Sequence, residues 1–490
     1  MVRQFLPGHF FLRSSAVLNA GCSLAVIYLL ILFVWLAPLL SVFCEPTAAH
    51  DVHRAAQIGL LAVAAVALLV SVRRWREVQG PSRPVIVLLV FAIVIGGFAV
   101  LHAQVRFWAG IEAATMLGLA ALVLSVTIGA PEPQLKRFLM GALIGTAPYY
   151  LMLCGILVGA FASGTTLYRA EFFSGYSNYR FFNHVQTITL PMLAIVAVSP
   201  MVSAWVRRCA WGSLVLGFSF LWYTAARGTS VGLVAGGIAA IILLRATAWR
   251  VLRPLLLAAL LGGLVFAVVF IGLPTLLGVS IDGDASALMT NTRSADLRAY
   301  LWSLAWHDIA ESPWLGIGPM HFAHRPNFEA AHPHNFPLQV AAEWGVPMLI
   351  LVLTLSYLGL RRMRVSIARE PDAGLATMGT GLWITCIAVA VDSLFSGNFV
   401  MPMSQVWIAY LLGWAIVWTR QANRGGVSGT VSSISRRSAL AVAAVLLVSQ
   451  LWLVYAIHDQ VLHLNDHLDG AHRIVINDHD SPRFWSHGWF

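Results

Sequence analysis

A chain of 490 residues that is 59% hydrophobic and only 11% charged, with a mean hydropathy of +0.77, is too apolar for a soluble globular protein. Its net charge of +10 comes from 31 Lys+Arg against 21 Asp+Glu, with Lys136 the one lysine. The positive-inside rule accounts for that excess, so no nucleic-acid partner is inferred from it. Five cysteines (Cys22, Cys44, Cys154, Cys209 and Cys386) lie scattered with no CxxC pair, which indicates neither a disulfide framework nor a thiolate metal site.

Arg3 and Arg13 precede an apolar stretch at 18–43. Its length of about 25 residues and the lack of a small-residue cleavage site favour a first spanning helix over a signal peptide. Further apolar runs follow at 55–72, 84–102, 110–129, 138–162, 185–206, 209–225, 229–244, 254–277, 347–360, 374–395, 403–419 and 438–458. The expected fold is therefore an all-α polytopic membrane protein of about 12–13 transmembrane helices, with a large, partly helical loop on the outer side. The expected division is helices 1–9 over residues 1–277, the loop with the active site over 278–346, helices 10–13 over 347–458 and a short outer tail over 459–490.

If the chain starts inside, 21 basic residues fall inside and 10 outside, as the positive-inside rule requires. The same topology puts every histidine but His9 outside. A neutral imidazole can accept a proton at a membrane boundary without the desolvation cost of a fixed charge, although histidines also simply populate interfacial loops. Ionisable residues within the spans are few, chiefly Glu112 and Asp392, and both are expected near the outer boundary.

In the long outer loop, 294–311 places Leu297, Leu301, Leu304, Ala305 and Ile309 on one helical face, with Thr292 and Ser294 as N-cap candidates and Pro313 as the stop. This predicts an amphipathic helix lying against the membrane domain. In 313–320, two glycines and two prolines predict a rigid bend; the alternative is that exposed amides there face a ligand.

The last polar residues before the span at 347–360 include His332, His334, Asn335 and Glu343. One histidine acting as a general base toward a hydroxyl is the sharpest reading. A zinc site completed by His321, His324 or Glu343, and a purely structural histidine, stay open beside it. Asn335 is expected to cap the next helix or hold its neighbour, and Glu343 to orient a histidine or serve the fold. Arg227, Arg293, Arg298 and Arg180 lie on the side that the positive-inside rule disfavours. Their guanidinium forks match phosphate oxygens, so they can grip a lipid-linked phosphate or pyrophosphate; alternatively, they pair with carboxylates or reach to headgroups.

Three pieces of the sequence resemble the O-antigen ligase and polymerase superfamily of bacterial envelope proteins. They are Ala226-Arg227-Gly228-Thr229-Ser230 opening a small-residue helix, Arg298-Ala299-Tyr300-Leu301-Trp302 leading to Pro313-Trp314-Leu315-Gly316-Ile317-Gly318, and His334-Asn335 with Leu338, Glu343 and Gly345. Ala226 stands where the family pattern has Ser. The resemblance implies transfer of a glycan from undecaprenyl pyrophosphate to an acceptor hydroxyl at the periplasmic face of the bacterial inner membrane, with no metal or cofactor. It implies His334 as the catalytic residue, with Arg227 and a loop arginine, Arg293 or Arg298, holding the pyrophosphate. Lipid A core is the expected acceptor; a protein hydroxyl (an O-oligosaccharyltransferase) and a growing repeat polymer (a polymerase) are alternatives. Membrane lipids are the other expected partners. A transporter of a lipid or anionic solute is disfavoured because no inverted repeat is evident.

Overall fold

The computed structural model describes residues 28–43, 46–72, 82–129, 135–279, 293–325, 327, 329–423, 435–462, 483–486, 488 and 490. Within them the chain is helical with no strand, an all-α polytopic membrane protein. The helices are α1 (Tyr28–Leu40), α2 (Pro46–Val70), α3 (Arg83–His102), α4 (Arg106–Gly129), α5 (Leu135–Ile144) and α6 (Ala147–Ser163). Then come α7 (Tyr179–Val198), α8 (Ala204–Thr224), α9 (Arg227–Leu244) and α10 (Ala248–Phe266), the last prolonged by a π-turn at Ala267–Gly272. The loop helices α11 (Arg293–Glu311) and α12 (Phe336–Trp344) precede α13 (Val346–Arg369), α14 (Ala373–Asp392), α15 (Pro402–Ala422) and α16 (Arg436–Leu462).

Nine helical stretches among the described residues are long and apolar enough to cross a membrane. One of them, Arg227–Leu277, has 51 residues. At 1.5 Å per residue it is roughly 77 Å long, more than twice a hydrocarbon core, and it folds back at Arg245–Thr247 between α9 and α10. Helices α8 and α15 reach 21 residues each but carry more polar side chains. Each of the thirteen apolar runs read from the sequence overlaps a helix.

Helix α7 is the centre of the bundle. Every residue from Phe182 to Ala197 is buried, the pattern of a helix enclosed on all sides. It begins earlier than its apolar run, because Asn178 caps it by accepting the Arg180 N–H at 2.9 Å. Arg180 and His184, which precede the apolar run at 185–206, therefore lie on a helix.

Beside it, α9 packs its small face on α14. A Cβ on Gly232 would meet the Ala388 carbonyl oxygen at 2.5 Å, and one on Gly236 the Ile384 carbonyl at 2.8 Å. The opposite face of α9, with Val234, Ile238 and Ile242, is exposed as a lipid-facing surface would be. Gly232→Val is expected to force the two helices apart and to lower stability by about 1–3 kcal/mol, measurable as a reduced unfolding temperature in detergent. An unchanged temperature would show that this helix pair yields without strain.

The predicted loop helix is present as α11, with Leu301, Ala305 and Ile309 buried against Phe322, Ala330, Ala341 and Ala342. The bend after it is rigid, with Gly316 and Gly318 at φ +70° and +115°. Its amides do not face a ligand. Ile317 N–H donates to the Ala342 carbonyl at 2.8 Å and Gly318 N–H to the Glu343 carbonyl at 3.2 Å, closing the end of α12. Of the expected outer tail, 463–482 lies outside the described residues. Residues 483–486 are buried, and Arg54 of α2 donates to the carbonyls of Arg483 and Phe484, both at 3.0 Å.

Candidate active site

The starts of α7, α9 and α15 and the ends of α8 and α14 meet at one end of the bundle, beneath α11 and the loop that precedes α12. Between them lies a cavity of about 480 Å³. Arg180, Arg227, Arg298, His332 and His334 all line it, so five of the residues singled out in the sequence converge.

Each is placed by a local device. Arg227 opens α9 directly after a two-residue link from α8, which forces Ala225 into a left-handed conformation at φ +47°. Arg180 stands in the first turn of α7 and Arg298 in the second turn of α11. The three guanidiniums repel one another: burial first, then Arg180 and Arg227, lower the Arg298 pKa from its ordinary value. Two carboxylates, Glu329 and Asp392, share the lining. Arg293 begins α11, but its side chain lies outside the described structure.

The histidine loop is pinned from both sides. Trp302 Nε1 donates to the Pro333 carbonyl at 3.1 Å, and Phe336 N–H to the Ser393 carbonyl at 2.9 Å. His334 is held at φ +51°, an unusual conformation for a residue with a side chain and one that costs of order 1–3 kcal/mol. Its backbone N–H donates to His332 Nδ1 at 3.2 Å, and the two rings lie 4.0 Å apart. Burial, followed by the charges of Arg298 and Arg180, pushes His334 down to about 3. His332 is also held well below the usual imidazole range, again by burial first and then by His334 and Arg483. Both rings are therefore neutral at physiological pH; His332 Nδ1 already accepts the His334 N–H, so the lone pair open to a hydroxyl is that of the His334 ring.

Asn335 and Glu343 do not line the cavity. Asn335 caps α12, its side chain accepting the Leu338 N–H at 3.0 Å. Glu343, expected to orient a histidine or serve the fold, does the latter. It is fully buried and bound to Arg483 Nη2 at 2.6 Å, to Phe322 N–H at 3.2 Å and to Gln339 Nε2 at 3.3 Å. The zinc alternative loses its third ligand for the same reason. His321 Nε2 accepts the Val105 N–H at 2.9 Å, and His324 Nδ1 meets the Phe490 carbonyl at 2.7 Å. Among the described residues, three potential ligands gather at His307, Asp308 and Glu311, away from His332 and His334. Arg325 pairs with both of those carboxylates, at 2.6 and 2.7 Å.

The structure adds two lining residues that sequence reasoning left without a role, His184 and Asp392. Asp392, at the end of α14, accepts the Thr187 hydroxyl at 2.8 Å and abuts the first turn of α9, where a Cβ on Gly228 would lie 2.5 Å from its Oδ1. A carboxylate closing an apolar run was the available signal. For His184 the signal was its i, i+4 spacing from Arg180, which is visible only once 179–184 is read as helix.

No curated protein matches the chain. Residues 212–353 match the family described as O-antigen ligase, whose members are glycosyltransferase-like enzymes acting between lipid-linked glycans and acceptors. The matched segment runs from within α8 into α13 and contains Arg227, Arg298, His332 and His334, while Arg180, His184 and Asp392 lie outside it. Over that segment, 142 of the 490 residues, the chain is similar to the O-antigen ligase family.

Proposed function

We propose that the protein transfers a glycan from undecaprenyl pyrophosphate to a hydroxyl of lipid A core, at the periplasmic face of the bacterial inner membrane. The observation that carries this reading is the convergence of Arg180, Arg227 and Arg298 with a strained, half-buried His334 on one cavity at the end of the bundle. In this reading 278–346 is the periplasmic loop, and the spans before and after it are the frame.

The acceptor hydroxyl hydrogen-bonds to the His334 ring, and its oxygen attacks the anomeric carbon as the bond from that carbon to the pyrophosphate oxygen breaks. His334 takes the hydroxyl proton, and the arginines stabilise the negative charge on the departing pyrophosphate. A bound dianion offsets the arginine charges that depress His334, so the base strengthens when the donor is in place. No metal or cofactor has a step in this scheme.

Arg298→Gln is expected to raise KM for the donor about ten- to a hundredfold, the loss of one charge-assisted hydrogen bond to phosphate. Steady-state kinetics in proteoliposomes reads it, and an unchanged KM would remove Arg298 from the phosphate site. The reading as a whole is tested with purified protein, undecaprenyl-pyrophosphate glycan and three acceptors supplied separately. Product on lipid A core supports ligation. Product only on a protein, or only as longer lipid-linked polymer, would make the enzyme an oligosaccharyltransferase or a polymerase. Donor left intact with every acceptor would overturn the reading.

A further inference from the structure

His184 stands in the second turn of α7, four residues after Arg180, so the two side chains share one helix face and both line the cavity. Its polar neighbours on α7 are committed to the protein. Asn183 Nδ2 donates to Gln186 Oε1 at 2.8 Å and to Thr224 Oγ1 at 2.9 Å, and Gln186 Nε2 donates to the Gly217 carbonyl at 2.7 Å. His184 is as buried as they are, at 7% exposure, yet its Nδ1 has no hydrogen-bond partner among the described residues. A partnerless polar atom inside a membrane bundle carries a desolvation cost that a Phe or Leu at this position would avoid. If Nδ1 keeps the bare lone pair, the ring proton sits on Nε2, and Nε2 becomes a donor for whatever fills the cavity.

One helical turn, about 6 Å along the axis, separates His184 from Arg180. That is the reach from a phosphate to a hydroxyl on the sugar ring attached to it. We propose that His184 is a specificity residue that hydrogen-bonds a ring hydroxyl of the sugar directly linked to the pyrophosphate, one turn below the phosphate-holding Arg180. The assignment rests on the glycan-transfer reading above. It deepens that reading by giving the enzyme a means to recognise the first sugar of its donor.

The test uses purified full-length protein in proteoliposomes, with lipid A core as acceptor. The donors are undecaprenyl-pyrophosphate sugars, complete or deoxygenated at one ring position at a time. On the complete donor, His184→Phe should lower kcat/KM about five- to tenfold, and His184→Gln, which keeps a donor group, should lose less than half of that. Wild type should discriminate by the same factor against one deoxy donor, and His184→Phe should process that donor as wild type does. Equal losses on complete and deoxy donors would reduce His184 to a packing role and overturn the proposal. So would a wild type indifferent to every deoxygenation, a result that needs no variant to fold. If wild type transfers nothing while His334→Ala behaves identically, the glycan-transfer reading itself has failed.

Discussion

His334→Ala is expected to cut transfer by about a hundred- to ten-thousandfold while leaving the donor bound. The reasoning is geometric. His334 is held at φ +51° on a loop tied down by Trp302 and Phe336, and that placement brings its ring into the cavity beside Arg298 and Arg180. Alanine removes the acceptor for the hydroxyl proton but none of the guanidiniums, so lipid-linked glycan should accumulate uncleaved and still bind. Donor consumption by single turnover, with binding measured in parallel, separates the two effects; retained transfer would take His334 out of the chemistry. The pH profile is a second readout. With the free-enzyme value pushed to about 3, His334 stays neutral from pH 8 to 5, and kcat/KM should show no acid limb at the ordinary imidazole value. The linkage runs in the same direction. Because the folded value lies below the unfolded one, the unfolded chain binds the extra proton, so stability falls as pH drops from about 6.5 toward 3.

Much of this site was legible before any coordinates, and the reasons are local. The stripe of Leu301, Ala305 and Ile309 is a 3.6-residue period, and it folds as α11. Asn335 before Phe336-Pro337 is a capping pattern, and it caps. Arg227 and Arg298 violate the charge rule for membrane proteins, and both line the cavity. What could not be read depends on long-range partners. Helix α7 starts at Tyr179 rather than at its apolar run because polar side chains there bond to α8 and α9 inside the bundle, as Asn183 does to Thr224 and Thr229 to the Asn183 carbonyl at 3.0 Å. The Gly316 and Gly318 bend could have opened its amides to a ligand. Only the position of α12 decides that it does not. Glu343 beside two histidines suggested an orienting carboxylate, whereas its charge partner stands 140 residues later in the chain.

That partner carries the other large effect. Arg483, 2% exposed, reaches Glu343 at 2.6 Å and Glu112 of α4 at 3.7 Å, while its carbonyl is held by Arg54. It thus ties the end of the chain to α2, α4 and the helix that follows the histidine loop. Arg483→Ala is expected to cost about 3–5 kcal/mol, because it leaves a carboxylate buried without its cation. Thermal unfolding in detergent measures this, and a loss within 1 kcal/mol would mean that the pair contributes little. The deficit should also depend on pH. Burial raises Glu343 to about 7 even against the Arg483 guanidinium, so removing the cation raises it further. A folded value above the unfolded one gives stability that is present at low pH and lost as pH rises through the folded value. The variant should therefore lie closest to wild type near pH 5.5 and furthest from it near pH 8; the opposite order would show that Glu343 is not the group left unpaired. Arg483→Met combined with Glu343→Leu should recover part of the loss, since two apolar side chains need no counter-charge. Recovery will be incomplete, because Phe322 N–H loses the carboxylate it now donates to.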